Sequence, residues 1–283
     1  MNDLKRKSGL KQKQVEEFLT QQDVYTKHKP IKHHFTTRRV FVPRANDQLQ
    51  ADLVDMQAYI SENTNYRYIL TCIDCFSKYA WGIKIKTKTN QNINEAFKII
   101  FQSIIPKKIQ TDAGTEFIGK PTQDLFKQHN IEWFQTYNET KAQIVERFNR
   151  TLKTKMWKVF TYRQNHQWID LLDDLLLNYN HSYHRSIKMK PIEAREKKNE
   201  YKVYFNLYGI RHSLETKPKF KVDDSVRITI KRKPFRKGYL PNFTEEIFKI
   251  DEVMMTDPIT YKIKDKNDEK IIGSFYEAEL VKV

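Results

Sequence analysis

Three acids lie where a carboxylate could do chemistry. Asp52 sits in QADLVDMQ, on a short apolar run. Asp112 ends another run, KIQTD, just before Gly114. Glu146 falls in the first turns of a long helical pattern, IVERFNRTLKTKMWKVF. Each has an ordinary reading, as a strand-end acid, a turn acid and a solvated helix acid. If they met at one point, their like charges would repel and some would take up protons. Divalent metal removes that conflict. Carboxylate oxygens suit Mg²⁺ or Mn²⁺, whereas thiolates or imidazoles would favour zinc. Two such ions can hold the attacking and leaving oxygens of a phosphoryl transfer. Asp55 competes with Asp52 for the first position. The two are three residues apart, so on a strand they point to opposite faces and only one can face the site.

The surrounding patterns say which elements would carry these acids. QADLVDM, YRYILTCID and YAWGIKIK read as three strands in quick succession, an antiparallel meander. Ile93, Ala96, Phe97, Ile100 and Phe101 then form an apolar stripe at helical spacing, and Pro106 stops it. KKIQTD is a fourth strand, a helix follows around Thr122–His129, and IEWFQT is a fifth strand. Two long helical patterns come next, broken near Gln164–Asn165. This β-β-β-α-β-α-β-α order predicts an α/β fold, a mixed sheet flanked by helices. In it the first and fourth strands can be neighbours, and a helix returning after the fifth strand can bring an acid to their ends.

The partner follows from charge. The 283-residue chain has a formal net charge of +16, so a polyanion is expected, with nucleic acid first. No apolar run reaches the roughly 20 residues of a membrane-spanning helix, and no membrane partner is expected. The basic start, MNDLKRKSGLKQKQ, lacks the apolar centre of a signal peptide, so the protein is not expected to be secreted. Cys72 and Cys75, the two cysteines, read as core or turn thiols of a reducing compartment, the cytoplasm or nucleus. His28, His33 and His34 lack suitably spaced companion ligands, so no zinc is expected.

Arg150 and Lys153 follow Glu146 at i+4 and i+7 and share its helix face, where they would reach phosphates flanking a reacting one. Tyr137 and Gln143 are placed on the loop before Glu146, within reach of a phosphate there. In the tail, Arg227, Lys231, Arg232, Lys233, Arg236 and Lys237, interleaved with Phe235 and Tyr239, read as a patch that tracks phosphates. The expected divisions are a basic N-terminal arm with a short helix (1–48), a catalytic core (49–195), a linker with a short helix (196–218) and a small, strongly bent β-barrel of five short strands (219–283). Phe220, Tyr261, Phe275 and Tyr276 offer a second reading of that barrel, an aromatic cage for a histone tail.

The segments QTDAGTEF and TYNETKAQIVERFNRTLK resemble the catalytic core of retroviral-type integrases, members of the DDE recombinase superfamily with an RNase H-like fold. QAD, ILTCIDCFSKYAW and NHSYHRSIKMKPIEA resemble further segments of the same family, so the resemblance spans roughly Leu49–Arg195. FRKGYLPNFTEEIFKI and GSFYEAELVKV look like the chromodomain-like tail of integrases from Maverick/Polinton-type transposons and related retroelements. The resemblance implies that Asp52, in the Q-x-D register, binds two Mg²⁺ or Mn²⁺ ions with Asp112 and Glu146. It implies endonuclease and strand-transfer chemistry on double-stranded DNA: 3′-end processing of element DNA, then joining to target DNA. It also implies a homo-oligomer and nuclear action, with chromatin contact an option for the tail. A nuclease of the same fold and a domesticated DNA- or chromatin-binding protein are the alternatives. Two features depart from the family. The last two acids are separated by 33 residues where retroviral integrases have 35, and the loop before Glu146 lacks their glycines.

Overall fold

The computed structural model describes residues 6–32, 34–112, 114–135, 142–209, 217–230 and 237–283. The chain divides into two compact units, residues 40–212 and residues 1–39 with 213–283. The second unit begins with α1 (Gln12–Thr20) and α2 (Asp23–Lys27). Val15 and Leu19 of α1 are buried, as the helical spacing of that stretch predicts. The short α2 carries Asp23 in its first turn and Lys27 in its last, signs that suit the helix dipole, and the two pair at 2.7 Å.

The unit of residues 40–212 is built on a five-stranded sheet. Its strands are β1 (Gln48–Asp55), β2 (Tyr68–Asp74), β3 (Ala80–Ile85), β4 (Lys108–Thr111) and β5 (Glu132–Gln135). The order across the sheet is β3-β2-β1-β4-β5, with β1–β2 and β2–β3 antiparallel and β1–β4 and β4–β5 parallel. The first and fourth strands are therefore neighbours. Helices cover both faces. On one lie α3 (Asn90–Ser103), α4 (Thr115–Ile118) and α5 (Lys120–Gln128). Ile93, Ala96, Phe97, Ile100 and Phe101 of α3 meet Leu49, Ala51 and Ile109 of the sheet there. Each Ile or Phe buried in this way contributes roughly 1.5–3 kcal/mol. Thr89 Oγ1 accepts the Asn92 N–H at 3.4 Å to start α3.

On the other face lies the long α6 (Gln143–Arg163), followed by α7 (Leu172–His181). Val145, Phe148, Leu152, Met156 and Phe160 of α6 pack with Val54, Ile69 and Ile73 of the sheet. The second helical pattern, which the sequence extends back to His166, begins as turns. Asn63 donates to the His166 carbonyl and accepts the Trp168 N–H at 2.7 Å, seating Trp168 in the core before α7 starts.

The stretch after the core, expected as a linker with a short helix, contains a helix. α8 (Pro191–Ala194) and α9 (Glu200–Tyr208) follow α7. Val203 is buried with Val42, Cys75, Phe76 and Ile187, and the Tyr208 hydroxyl is bonded to both Val42 N–H and C=O. Those contacts draw residues 40–48 and 196–209 into the unit of the sheet. Cys72 and Cys75 are free, buried thiols, and burial raises both above the ordinary thiol range.

The last strands form a second, antiparallel sheet: β6 (Ser225–Ile228), β7 (Phe248–Met254), β8 (Thr260–Lys264), β9 (Phe275–Tyr276) and β10 (Leu280–Lys282). Its order is β10-β6-β7-β8-β9, so among the described residues β10 and β9 are its edges. Phe220, Val226, Ile250, Tyr261, Ile263 and Leu280 form its core. Among the described residues no helix is long and apolar enough to cross a membrane.

Candidate active site

The parallel pairing of β1 with β4 sets the geometry. Gln48, Leu49 and Gln50 stand opposite Lys108, Ile109 and Gln110. Two residues further on, the alternation puts Asp52 on the same side of β1 as Gln50, and Asp112 follows just past the end of β4. That side faces α6. Gln50 is fully buried, and its Oε1 accepts the Ile144 and Val145 N–H groups at 2.9 and 3.1 Å. Its Nε2 donates to Gln110 Oε1 at 3.0 Å, and Gln48 Nε2 donates to the same oxygen at 3.0 Å. A helix leaves its first N–H groups without backbone partners, and Ala142, at the start of α6, has no side chain to cap them. Gln50 takes that role from the centre of the sheet. The next residue along α6 is Glu146, so the glutamine clamp fixes this acid relative to the strand that carries Asp52.

One turn beyond Glu146, Asn149 Nδ2 donates to Asp52 Oδ2 at 2.8 Å, and the Leu53 N–H reaches Asp52 Oδ1 at 2.8 Å. Burial raises the Asp52 carboxyl above the usual carboxylate range. The Asp112 charge adds to the rise, while the Leu53 N–H, the Asn149 amide and the Lys153 charge oppose it. Asp112 Oδ1 accepts the Gly114 N–H at 3.2 Å, a turn acid as well as a neighbour of Asp52. Asp55 is on the other side of β1, exposed, with its carboxylate held by Gln57 N–H and Nε2 at 2.9 Å each. The physical tie between Asp52 and Asp55 is thereby broken in favour of Asp52 as the acid facing α6.

The three acids are not all drawn together. Asp52 and Asp112 are within electrostatic reach of each other, whereas Glu146 is exposed on the outer side of the first turn of α6. Among the described residues, no three His, Cys, Asp or Glu side chains are grouped to hold a metal ion. The donor set nevertheless fits a hard divalent cation. It is all oxygen, its half-buried member, Asp52, is a carboxyl under like-charge pressure, and Asn149 Oδ1 beside it is buried with no hydrogen-bond partner among the described residues.

Arg150 and Lys153 are exposed on α6, and the Lys153 charge is felt at Asp52. Gln143 is exposed as well, but it is the first residue of α6 and not part of a loop. Lys237 is exposed, with its Nζ 5.8 Å from the Tyr239 ring centre. Tyr137, Lys231, Arg232, Lys233 and Arg236 lie outside the described residues, as does His33. Arg227 requires a correction. It is buried, not part of a surface patch. Its guanidinium is bonded to Thr26 Oγ1, to the Thr244 and Glu245 carbonyls and to the Asp23 carboxylate. That charge joins α2 to β6 and is turned away from any phosphate. The aromatic-cage reading also loses two walls. Phe220 and Tyr261 are core residues packed edge to face at 5.3 Å, and the Tyr261 hydroxyl donates to Glu277. Sequence reasoning missed Gln110 and Asn149 and used Gln50 only as a register mark. The signal for Gln50 was there: a glutamine on the same strand face as Asp52, and a helix start without a capping side chain.

The family description "integrase core domain" matches residues 42–136, which hold all five strands described above. An uncharacterized transposon-derived protein of Caenorhabditis elegans is 32% identical over 195 residues, 68% of this chain and 65% of the worm protein. The Gag-Pol polyprotein of avian reticuloendotheliosis virus is 31% identical over 131 residues, 44% of this chain and 11% of the polyprotein. The chain thus spans less than two thirds of either relative. Among solved structures, a chain of the simian T-cell lymphotropic virus intasome, in complex with a PP2A regulatory subunit, superposes with a TM-score of 0.72. It is 16% identical, with 98% of this chain and 92% of that chain covered, a likeness of fold. The first sheet thus lies in the stretch that matches the integrase core domain family, and the likeness to the viral chain is one of fold.

Proposed function

We propose that this chain is a metal-dependent DNA integrase of a mobile element, which processes element 3′ ends and joins them to target DNA. The observation that carries the reading is that Asp52 on β1 feels the charge of Asp112, just past the end of the neighbouring parallel β4, beside the glutamine-clamped start of the Glu146 helix. Asp52, Asp112 and Glu146 would hold two Mg²⁺ or Mn²⁺ ions, which when bound activate the attacking oxygen and stabilise the leaving one in a phosphodiester exchange. Asn149 orients the Asp52 carboxylate through its amide N–H. The clamp of Gln50 and Gln110 keeps α6 from shifting along the sheet. Arg150 and Lys153 take phosphates flanking the reacting one, Gln143 contacts the strand near the helix start, and their combined charge makes binding salt-sensitive. The C-terminal sheet, read as a chromodomain-like tail, adds a second DNA contact through the basic stretch that ends at Lys237.

The relatives support the same direction, since one is transposon-derived and others are retroviral polyproteins. The viral structural neighbour is an intasome, and we extend multimeric assembly on double-stranded DNA to this chain. The test is a joining assay with labelled element ends, a plasmid target and Mg²⁺, comparing wild type with Asp112→Asn and Glu146→Gln. Wild type is expected to join the ends and both variants to fail. Equal joining by all three proteins would refute the site. Cutting without joining by the wild type would make the protein a nuclease of this fold.

A further inference from the structure

On the flank of α6, about 100° around the helix from Glu146, a cavity of about 530 Å³ opens between α6, the end of β2 and the turn after α7. Four cationic side chains line it: Lys78, Arg147, Lys155 and Arg185. No acidic side chain is among its described lining residues. Lys78 is the unusual member. It is almost fully buried, and its ammonium donates to the Cys75 carbonyl. Asp74, whose charge acts on Lys78, is also buried and shares its own charge with the Asn46 N–H at 3.1 Å, the Ser77 N–H at 2.9 Å and the Ser77 hydroxyl. A buried ammonium is costly to retain unless an anion or a dipole faces it.

The local potential is positive enough to be felt by a neighbour. His184, another lining residue, is pushed down to about 4 by burial and by the charges of Lys78 and Arg147. Its Nδ1 accepts the Ser186 N–H at 3.3 Å, which leaves the proton on Nε2 as a further donor. Ile73 and Phe148 add apolar surface to the cavity. Its volume exceeds what a bare phosphate fills, leaving room for an attached sugar. Charge-assisted bonds from several cations to one group are the pattern that recognises phosphate.

We propose that this cavity is a phosphate-binding pocket, taking one phosphate group of a nucleic-acid strand or of a free phosphate ester. Only the nucleic-acid source rests on the reading of the chain as a DNA-joining protein. The pocket itself does not. It is a separate contact from the Arg150–Lys153 face, on the side of α6 that Arg147, Thr151 and Lys155 share.

The experiment uses the full chain and inorganic phosphate, titrated calorimetrically at constant ionic strength. Lys155→Gln with Arg185→Gln removes two pocket charges outside the candidate active site. Lys197→Gln with Lys202→Gln removes the same charge from exposed helix positions elsewhere in the unit. The pocket variant is expected to bind phosphate about tenfold more weakly, and the control variant as wild type does. Equal affinity in all three proteins, or an equal loss in both variants, would overturn the pocket. A short duplex is then added to phosphate-loaded wild type. Release of phosphate assigns the group to a nucleic-acid strand, and DNA binding without release assigns it to a free ester. A chain that binds phosphate but no DNA would keep the pocket and defeat the DNA-joining reading.

Discussion

Replacing Gln50 with Leu probes the clamp that positions Glu146. Leu fills similar space but cannot accept the Ile144 and Val145 N–H groups, which Gln50 Oε1 holds at 2.9 and 3.1 Å. Gln110 Oε1 keeps its bond from Gln48 at 3.0 Å, so the loss falls mainly on the helix start. Val145 is fully buried and Ile144 half-buried, so water replaces the lost acceptor poorly. Two hydrogen bonds at a net of about 1 kcal/mol each give a destabilisation of about 2 kcal/mol. The assay is native-state hydrogen exchange. The Ile144 and Val145 amides are expected to exchange roughly thirtyfold faster, while amides of the α6 interior from Phe148 to Met156 follow only the smaller change in global stability. DNA joining is expected to fall with them, because Glu146 follows directly. Unchanged exchange at Ile144 and Val145 would refute the clamp, as would full joining activity in a protein whose helix start has been loosened.

Further expectations follow from the same contacts. Asn149→Ala removes the bond to Asp52 Oδ2 and is expected to lower joining about tenfold at a stability cost of about 1 kcal/mol, read from joining rates beside denaturant midpoints. His184 sits at about 4 in the folded chain against 6.5 as its ordinary value. The unfolded chain therefore binds more protons between those values, so the His184 contribution to stability rises with pH across that window and levels off above it. Urea midpoints measured from pH 4.5 to 7.5 are expected to show this dependence, and His184→Gln to flatten it. Arg227→Gln is expected to lower the unfolding midpoint while leaving the salt dependence of DNA binding unchanged. Arg150→Ala and Lys153→Ala are expected to do the reverse, each cutting the slope of log affinity against log salt by about one.

The core was legible because its elements are strongly patterned. The α3 stripe of Ile93, Phe97 and Ile100 and the alternation of β1 follow from local periodicity, and the neighbouring of β1 and β4 follows from the order of elements. The choice between Asp52 and Asp55 was not local. It depended on which face of β1 meets α6, and the Gln50 and Asn149 bonds between β1 and α6 decide that. Arg227 misled because a cation among cations reads as surface. Its burial depends on Asp23 and Thr26, some 200 positions away, and no local pattern announces such a partner. The docking of α9, expected only as a short helix within a linker, escaped for a related reason. Val203 and Tyr208 have weak periodicity, and they are held by contacts with Val42 and Phe76 from the start of the unit. The cationic pocket was invisible for the same cause, since Lys78, Arg147 and Arg185 come from three separate segments.

The claim that Asp52, Asp112 and Glu146 form one divalent-metal site is tested most directly by Mn²⁺ binding, followed by the loss of the free-ion electron paramagnetic resonance signal on titration with the full chain. Wild type is expected to take up Mn²⁺. Asp52→Asn, Asp112→Asn and Glu146→Gln are each expected to weaken that uptake, with Asp55→Asn leaving it unchanged. Uptake that is indifferent to the first three substitutions, or sensitive to Asp55→Asn instead of Asp52→Asn, would contradict the site.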